Sequence, residues 1–227
     1  MKIGIIGAGA IGLTLASVAV RCHHEVMISN SRGKETLFDA AKSAKCEAGD
    51  IVEAADFSDI LILAIPFKAI WQLDPKLFSG KIVLDANNYY PERDGAILAL
   101  DRLETTTSSM LQTYLGKTSK VVKSFNAIMQ RDIESDARPF GASHRRALPI
   151  ASNYSDAKKI VAELINQFGF DPLDAGTLDE SWRFERAMPA YCIALDSAKL
   201  TDALALAKRG VELPHGSWRK SRRFVDV

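Results

Sequence analysis

Cysteine is scarce in this chain, with three residues among 227, at positions 22, 46 and 192. An odd number so widely spaced builds neither a disulfide framework nor a zinc site. It fits a reducing compartment, so a cytoplasmic location is expected. A charge bias is missing too. Lys and Arg number 29 against 28 Asp and Glu, which removes any global electrostatic reason to expect nucleic acid. No apolar run is long enough to span a bilayer. Residues 3–20 look superficially like a signal peptide, but glycines at turn spacing interrupt them. No membrane association is expected. The four histidines include no convincing catalytic base: His23 and His24 fall between a helix and a strand, His144 in a basic loop and His215 in the tail. No carboxylate pair or metal cluster stands out, so no metal is expected. The remainder, 47% apolar and 25% charged, is ordinary for a soluble globular protein. It is long enough for one large domain or two small ones.

The informative stretch is the first 34 residues. Lys2 to Ile6 reads as a buried strand, and Gly7-Ala8-Gly9-Ala10-Ile11-Gly12 follows at once. Leu13, Ala16 and Val20 then share a helical face, and Glu25 to Ser29 reads as a second strand. A strand–helix–strand unit of roughly thirty residues with this glycine spacing points to a dinucleotide. Gly7 permits the tight turn, Gly9 lets the backbone approach a pyrophosphate, and Gly12 lets helix and strand pack closely. The N–H groups at the helix start, including those of Ala10 and Ile11, would face the phosphates with the helix dipole behind them. The alternative is a purely structural turn.

The end of the second strand bears on which dinucleotide. An NAD site usually places Asp or Glu about twenty residues on, to bind the ribose hydroxyls. Here the chain continues Asn30-Ser31-Arg32-Gly33-Lys34, with no acid before Glu35. Hydroxyl, guanidinium and ammonium donors suit a 2′-phosphate, which a carboxylate would repel. NADP is the expected cofactor; a solvated turn with a helix cap is the alternative.

Further along, Gly33 to Lys45 reads as a helix with Leu37, Phe38, Ala41 and Ala44 on one face. Cys46 to Ala48 reads as a short strand, with an acidic helical turn near Ile51 to Ala55. Asp59 to Ile65 is the clearest buried parallel strand, ended by Pro66, and Phe67 to Leu73 reads as a helix. Lys81 to Ala86 is another strand. Ligands in doubly wound sheets sit outside the carboxyl ends of the strands. Ala64, Ile65, Pro66 and Phe67, with Asn87 and Asn88, therefore belong at the mouth with the glycine turn. There they would offer an apolar ledge and amide donors to a nicotinamide and its carboxamide; a plain turn is the alternative for the asparagines. Thr105 to Ser109 supplies caps for a helix to Leu115, and Lys120 to Phe125 is a further strand ending in Asn126-Ala127-Ile128.

In order, these motifs resemble one family. The glycine turn, Asn30-Ser31-Arg32, ILAIPF (62–67), LDANNYY (84–90), VVKSFNAI (121–128), RRALPIASN (145–153), FDPLDAGTL (170–178) and ERAMPAYC (185–192) are similar to the NADP oxidoreductases that depend on coenzyme F-420, a deazaflavin. The likeness is to the bacterial, broadly defined branch. The same dinucleotide domain occurs in the six-transmembrane metalloreductases, whose membrane part has no counterpart among these residues. The resemblance implies a nucleotide domain and a smaller C-terminal portion enclosing a cleft where nicotinamide and acceptor rings stack. By match to its motifs, Ser31, Arg32 and Lys34 would hold the 2′-phosphate, while Pro66, Asn87 and Asn126-Ala127-Ile128 would line the hydride-transfer site. One departure is Asn126, at a position where the archaeal deazaflavin enzymes look to carry His.

The C-terminal part reads as a second layer. Arg138 to Arg146 reads as a basic loop, Ala147 to Ala151 as a strand, and Ser155 to Phe168 as a helix burying Ile160, Val161, Leu164, Ile165 and Phe168. Gly169 stops that helix, and Phe170 to Leu173 is a strand. The turn Asp174 to Thr177 has backbone donors that could serve the cleft. Trp182, Arg183, Phe184 and Arg186 suit a flat anionic acceptor or, equally, a core edge or subunit contact. Leu200, Ala203, Leu204 and Ala207 mark a late helix. Lys208 to Arg223 is a basic tail better suited to docking on a partner subunit than to nucleic acid. The expected architecture is α/β: a Rossmann-type doubly wound, mostly parallel sheet over residues 1–125, with a smaller C-terminal α/β portion over 126–227. The expected function is NADP(H)-dependent hydride transfer to coenzyme F-420 or a flavin-like acceptor, in a homodimer and without a dedicated catalytic residue, since positioning carries most of that chemistry. Reduction of a small carbonyl or imine, reduction of ferric complexes through flavin, and a non-catalytic NADP sensor are the alternatives.

Overall fold

A computed structural model describes residues 1–214. The chain runs β1 (Lys2–Ile6), α1 (Ala10–Arg21), β2 (Glu25–Ser29), α2 (Phe38–Ala44), β3 (Glu47–Ala48), α3 (Ile51–Phe57), β4 (Ile60–Leu63) and β5 (Ile82–Asp85). It continues α4 (Pro91–Asp94), α5 (Leu98–Asp101), α6 (Thr107–Leu115), β6 (Lys120–Lys123), α7 (Gln130–Ser135), β7 (Ala147–Ile150), α8 (Ser155–Gln167), β8 (Asp171–Asp174) and α9 (Ser197–Leu206). Strands β1 to β6 form one sheet in the order β3-β2-β1-β4-β5-β6, and every pairing is parallel. This is the doubly wound Rossmann order, in which the chain doubles back between β1 and β4 and opens a crevice at their carboxyl ends.

The alternating direction of strand side chains divides the core in two. On one face Ile5, Ile28, Ile60 and Ile62 pack with Leu15, Ala16 and Ala19 of α1. On the other, Ile6, Leu61, Leu63 and Val83 pack with Phe67, Ile70, Leu111 and Leu115. The pair β7–β8, also parallel and linked through α8, joins the main sheet by an antiparallel bridge from Lys123 to Ala151. Phe125 meets Phe168 and Phe170 at ring-centroid distances of 5.9 and 6.2 Å, so the first core runs on into the C-terminal portion.

Several local expectations change. The helix expected from Gly33 divides into a 3-10 turn, Lys34–Leu37, and α2. The shift from three to 3.6 residues per turn rotates the apolar face, and Phe38 is left 57% exposed. Phe67–Gln72 is likewise 3-10. Ile160 sits at the margin of the buried stripe of α8 and is 37% exposed. In the basic loop, Arg145 and Arg146 are buried and neutralised by Asp171 and by Asp132 and Asp136. The turn after β8 does not face a ligand with its donors: Ala175 N binds Ile150 O, and Gly176 N binds Asp174 Oδ1. The tail reading beyond residue 214, including His215, lies outside the described residues. No helix among them is long and apolar enough to cross a membrane.

Candidate cofactor-binding site

The turn after β1 is held by three glycines for three different reasons. Gly7 has φ +113°, and a Cβ there would strike the carbonyl of Ala64. A Cβ on Gly12 would strike the carbonyl of Gly7. Around Gly9 the opposite holds: no protein atom lies within 4 Å of an added Cβ. The fold itself does not require glycine at position 9, and open space above that backbone is what a pyrophosphate needs. Helix α1 begins there with Gly9 as its cap residue, no side-chain cap and no acid in its first turn, so its leading N–H groups are left for an anion. Gly7 N binds Ser29 O at 2.9 Å and Ser29 Oγ donates to Ile5 O at 3.1 Å, which ties the end of β2 to the turn.

At that end Asn30 Oδ1 accepts the N–H of Arg32 at 2.8 Å, and Asn30 Nδ2 donates to Thr36 Oγ1 at 2.9 Å. The side chain of Asn30 thus shapes the loop that presents Ser31 and Arg32, both exposed. Lys34 turns away, its Nζ 2.7 Å from Glu53 Oε1. A cavity of about 450 Å³ is lined by Gly7, Gly9, Asn30, Ser31, Arg32, Ala64, Ile65 and Pro66, together with Ile51, Ala69, Gln72 and Leu73. Its walls are largely apolar with a few polar side chains, the usual make-up of a cofactor pocket.

The remaining expected residues do not line that cavity. Ala10, Ile11 and Gly12 form the first turn of α1. Asn87 and Asn126 are each 3% exposed. Asn87 Oδ1 accepts the Ile65 N–H at 2.8 Å, while its Nδ2 is buried without a partner. Asn126 Nδ2 donates to Asn88 Oδ1 at 3.1 Å and to Phe184 O at 3.0 Å, and its Oδ1 has no partner. Ala127 and Ile128 are core residues, each 3% exposed; they anchor the segment that carries Asn126.

Sequence reasoning missed the buried charges behind these asparagines. Asp85 and Lys123 pair across β5 and β6 with both side chains fully buried. The available signal was an apolar strand ending in Asp beside another ending in Lys. Two of the residues put forward for an anionic acceptor, Trp182 and Arg186, wall a second cavity of about 360 Å³ together with Tyr89, Glu185 and Arg209. Trp182 has the guanidinium carbons of Arg183 and Arg209 at 4.5 and 5.9 Å from its ring centroid. Arg186 lies over Tyr90 and is paired with Glu92 at 2.7 Å; Phe184 is core. Tyr90 and Tyr191 share a hydroxyl contact of 2.6 Å. Burial, with Cys192 and Tyr90 beside it, pushes the Tyr191 phenol up, and burial pushes the Cys192 thiol up to about 12. Neither is a base near neutral pH. No group of residues suited to a metal occurs among the described residues.

Sheet order, glycine turn and crevice define the class: a Rossmann-type dinucleotide-binding fold. The chain belongs to the family described as NADP oxidoreductase, coenzyme F420-dependent, whose profile matches residues 2–89. The hypothetical protein SMa0349 of Sinorhizobium meliloti is 30% identical, with a TM-score of 0.71 over 86% of this chain and 95% of that one. A protein of Arthrobacter sp. FB24 described as an F420-dependent NADP-reductase has the same fold, with a TM-score of 0.68 at 22% identity over 81% of this chain and 87% of that one. The human metalloreductase STEAP2 is 27% identical over 91% of this chain, which spans 39% of its length.

Proposed function

We propose that this chain is an NADP(H)-dependent oxidoreductase that moves hydride between the nicotinamide and a deazaflavin of the coenzyme F-420 type, or a flavin-like acceptor. The observation that carries the reading is the Asn30-Ser31-Arg32 segment in the wall of the cofactor cavity. Ser31 and Arg32 are exposed there, no carboxylate lines the cavity, and the glycine turn lies in the same wall. A guanidinium there binds a 2′-phosphate with charge-assisted hydrogen bonds, and Gly9 leaves the room a pyrophosphate needs. Bound this way, the cofactor supplies hydride at nicotinamide C4. The protein's share is to hold the ring against the ledge of Ala64, Ile65 and Pro66 and to exclude water. The family description supports a ring acceptor, as does the want of a convincing acid–base pair among the described residues, because a carbonyl substrate more often needs a group poised to move a proton.

The test is label transfer. NADPH deuterated at C4 is incubated with the protein and reduced-state formation of the deazaflavin is followed. Two electrons and the deuteron move together to the ring carbon, and a solvent proton completes the reduced ring. Deuterium on that carbon is the expected result. Turnover of a carbonyl or imine without labelled deazaflavin would assign the site to the other reductase class. NADPH binding with no acceptor turned over would make the protein a sensor.

A further inference from the structure

Burying an ion pair seldom stabilises a protein, because desolvation rivals the attraction and an apolar pair of similar shape often serves as well. The Asp85–Lys123 pair does something geometric instead. Lys123 Nζ spends its three hydrogens on Asp85 Oδ2 at 3.1 Å, Thr107 Oγ1 at 3.0 Å and the main-chain oxygen of Asn87 at 2.5 Å. Asp85 Oδ1 accepts the Asn87 N–H at 3.0 Å, and its Oδ2 also takes the Ser108 hydroxyl at 2.6 Å. Both polar atoms of the Asn87 main chain are therefore clamped from behind. In front, the N–H of Ile65 can only donate, so the Asn87 atom it meets at 2.8 Å is the oxygen. Ile65 itself lines the cofactor cavity. That leaves one atom of Asn87, the buried Nδ2 without a partner. An unmet buried donor costs about 1–3 kcal/mol, and this one lies one hydrogen bond behind Ile65 of the cavity wall, where an acceptor brought by the ligand would satisfy it.

We propose that Lys123, with Asp85, is a positioning residue that presents Asn87 Nδ2 as the donor to the carboxamide oxygen of a bound nicotinamide. The pair thereby sets the orientation in which the ring is held. This rests on the NADP reading above.

The test titrates three probes calorimetrically: NADP, its thionicotinamide analogue, whose sulfur is a poorer acceptor, and 2′,5′-ADP, which carries only the adenosine half. The proteins are the parent, Asn87→Ala, the neutral pair Asp85→Asn/Lys123→Met, and all three changes combined. The parent should prefer NADP over the analogue about fivefold, the factor that a hydrogen bond of about 1 kcal/mol represents. Asn87→Ala and the neutral pair should each lose that preference. The combination should lose no more than either, because residues acting through one atom are not additive. All four should bind 2′,5′-ADP alike. A preference that survives the neutral pair but not Asn87→Ala, or losses that add, would overturn the positioning role. A parent that binds no 2′,5′-ADP would overturn the NADP reading instead. Should the neutral pair not fold, Lys123→Gln, which keeps a donor toward the Asn87 oxygen, is compared with Lys123→Leu, which has none. The preference must follow the donor, and equal loss in both would reject the proposal.

Discussion

Gly9 and Gly12 are three positions apart and answer to different constraints. At Gly12 any side chain meets the carbonyl of Gly7, so substitution there should cost stability whether or not cofactor is present. At Gly9 a side chain meets open space. Gly9→Val should therefore fold with a nearly unchanged melting temperature and still fail to bind NADP. Unchanged affinity in calorimetric titration would reduce the motif to a structural turn. Arg32 offers the complementary test. It is exposed at the rim of the cavity, and Arg32→Ala should remove a charge-assisted bond worth roughly 1.5–3 kcal/mol, about 10- to 150-fold in NADP affinity. NAD affinity should stay put. Equal loss for both cofactors would refute the 2′-phosphate role.

At the scale of elements, α3 couples its own cap to the loop after β2. Asp50 Oδ1 accepts the Glu53 N–H and Glu53 Oε2 accepts the Asp50 N–H, both at 2.8 Å, a reciprocal capping box. The other Glu53 oxygen holds Lys34. The Lys34 ammonium first, and the Asp50 N–H next, hold the Glu53 carboxyl below its ordinary value of 4.5. A carboxyl depressed in the folded state adds stability that is fully present above 4.5 and lost as pH falls through its lowered value. Denaturant midpoints should thus fall on the acid side in the parent. In Lys34→Met that acid dependence should flatten, with little change in midpoint at neutral pH because the pair is exposed. An acid limb identical in both proteins would show that the contact contributes nothing in solution.

For the whole molecule, the consequence lies in the shared core. Phe168, 2% exposed, belongs to the same cluster as Leu15 and Ala19 of α1 and Leu148 of β7, and it touches Phe125 just beyond β6. The main sheet and the C-terminal pair of strands therefore have little reason to melt apart. Phe168→Ala should cost about 3–5 kcal/mol, read by chemical denaturation as one transition moved to lower denaturant. A new, separate early transition would mean that the two portions unfold independently.

Residue order alone was enough for the strand–helix–strand unit, for the place of the crevice, and for bringing Gly7, Gly9, Asn30 to Arg32 and Ala64 to Pro66 to one mouth, but not for Ile51, Ala69, Gln72 and Leu73 of the same wall. These are local patterns: a glycine spacing, a two-residue or 3.6-residue apolar period, and the rule that parallel strands present ligands at their carboxyl ends. Tertiary structure alone decided the rest. Lys34 was a fair phosphate ligand until folding set Glu53 beside it, and Arg145 and Arg146 read as a basic surface until Asp171, Asp132 and Asp136 closed around them. The clamp of Asp85 and Lys123 on Asn87 joins residues 38 positions apart. It exists because β5 and β6 become neighbours in register. Periodicity says which face of an element is buried, but the partner that a buried charge or amide finds depends on which elements lie side by side, and no local pattern carries that.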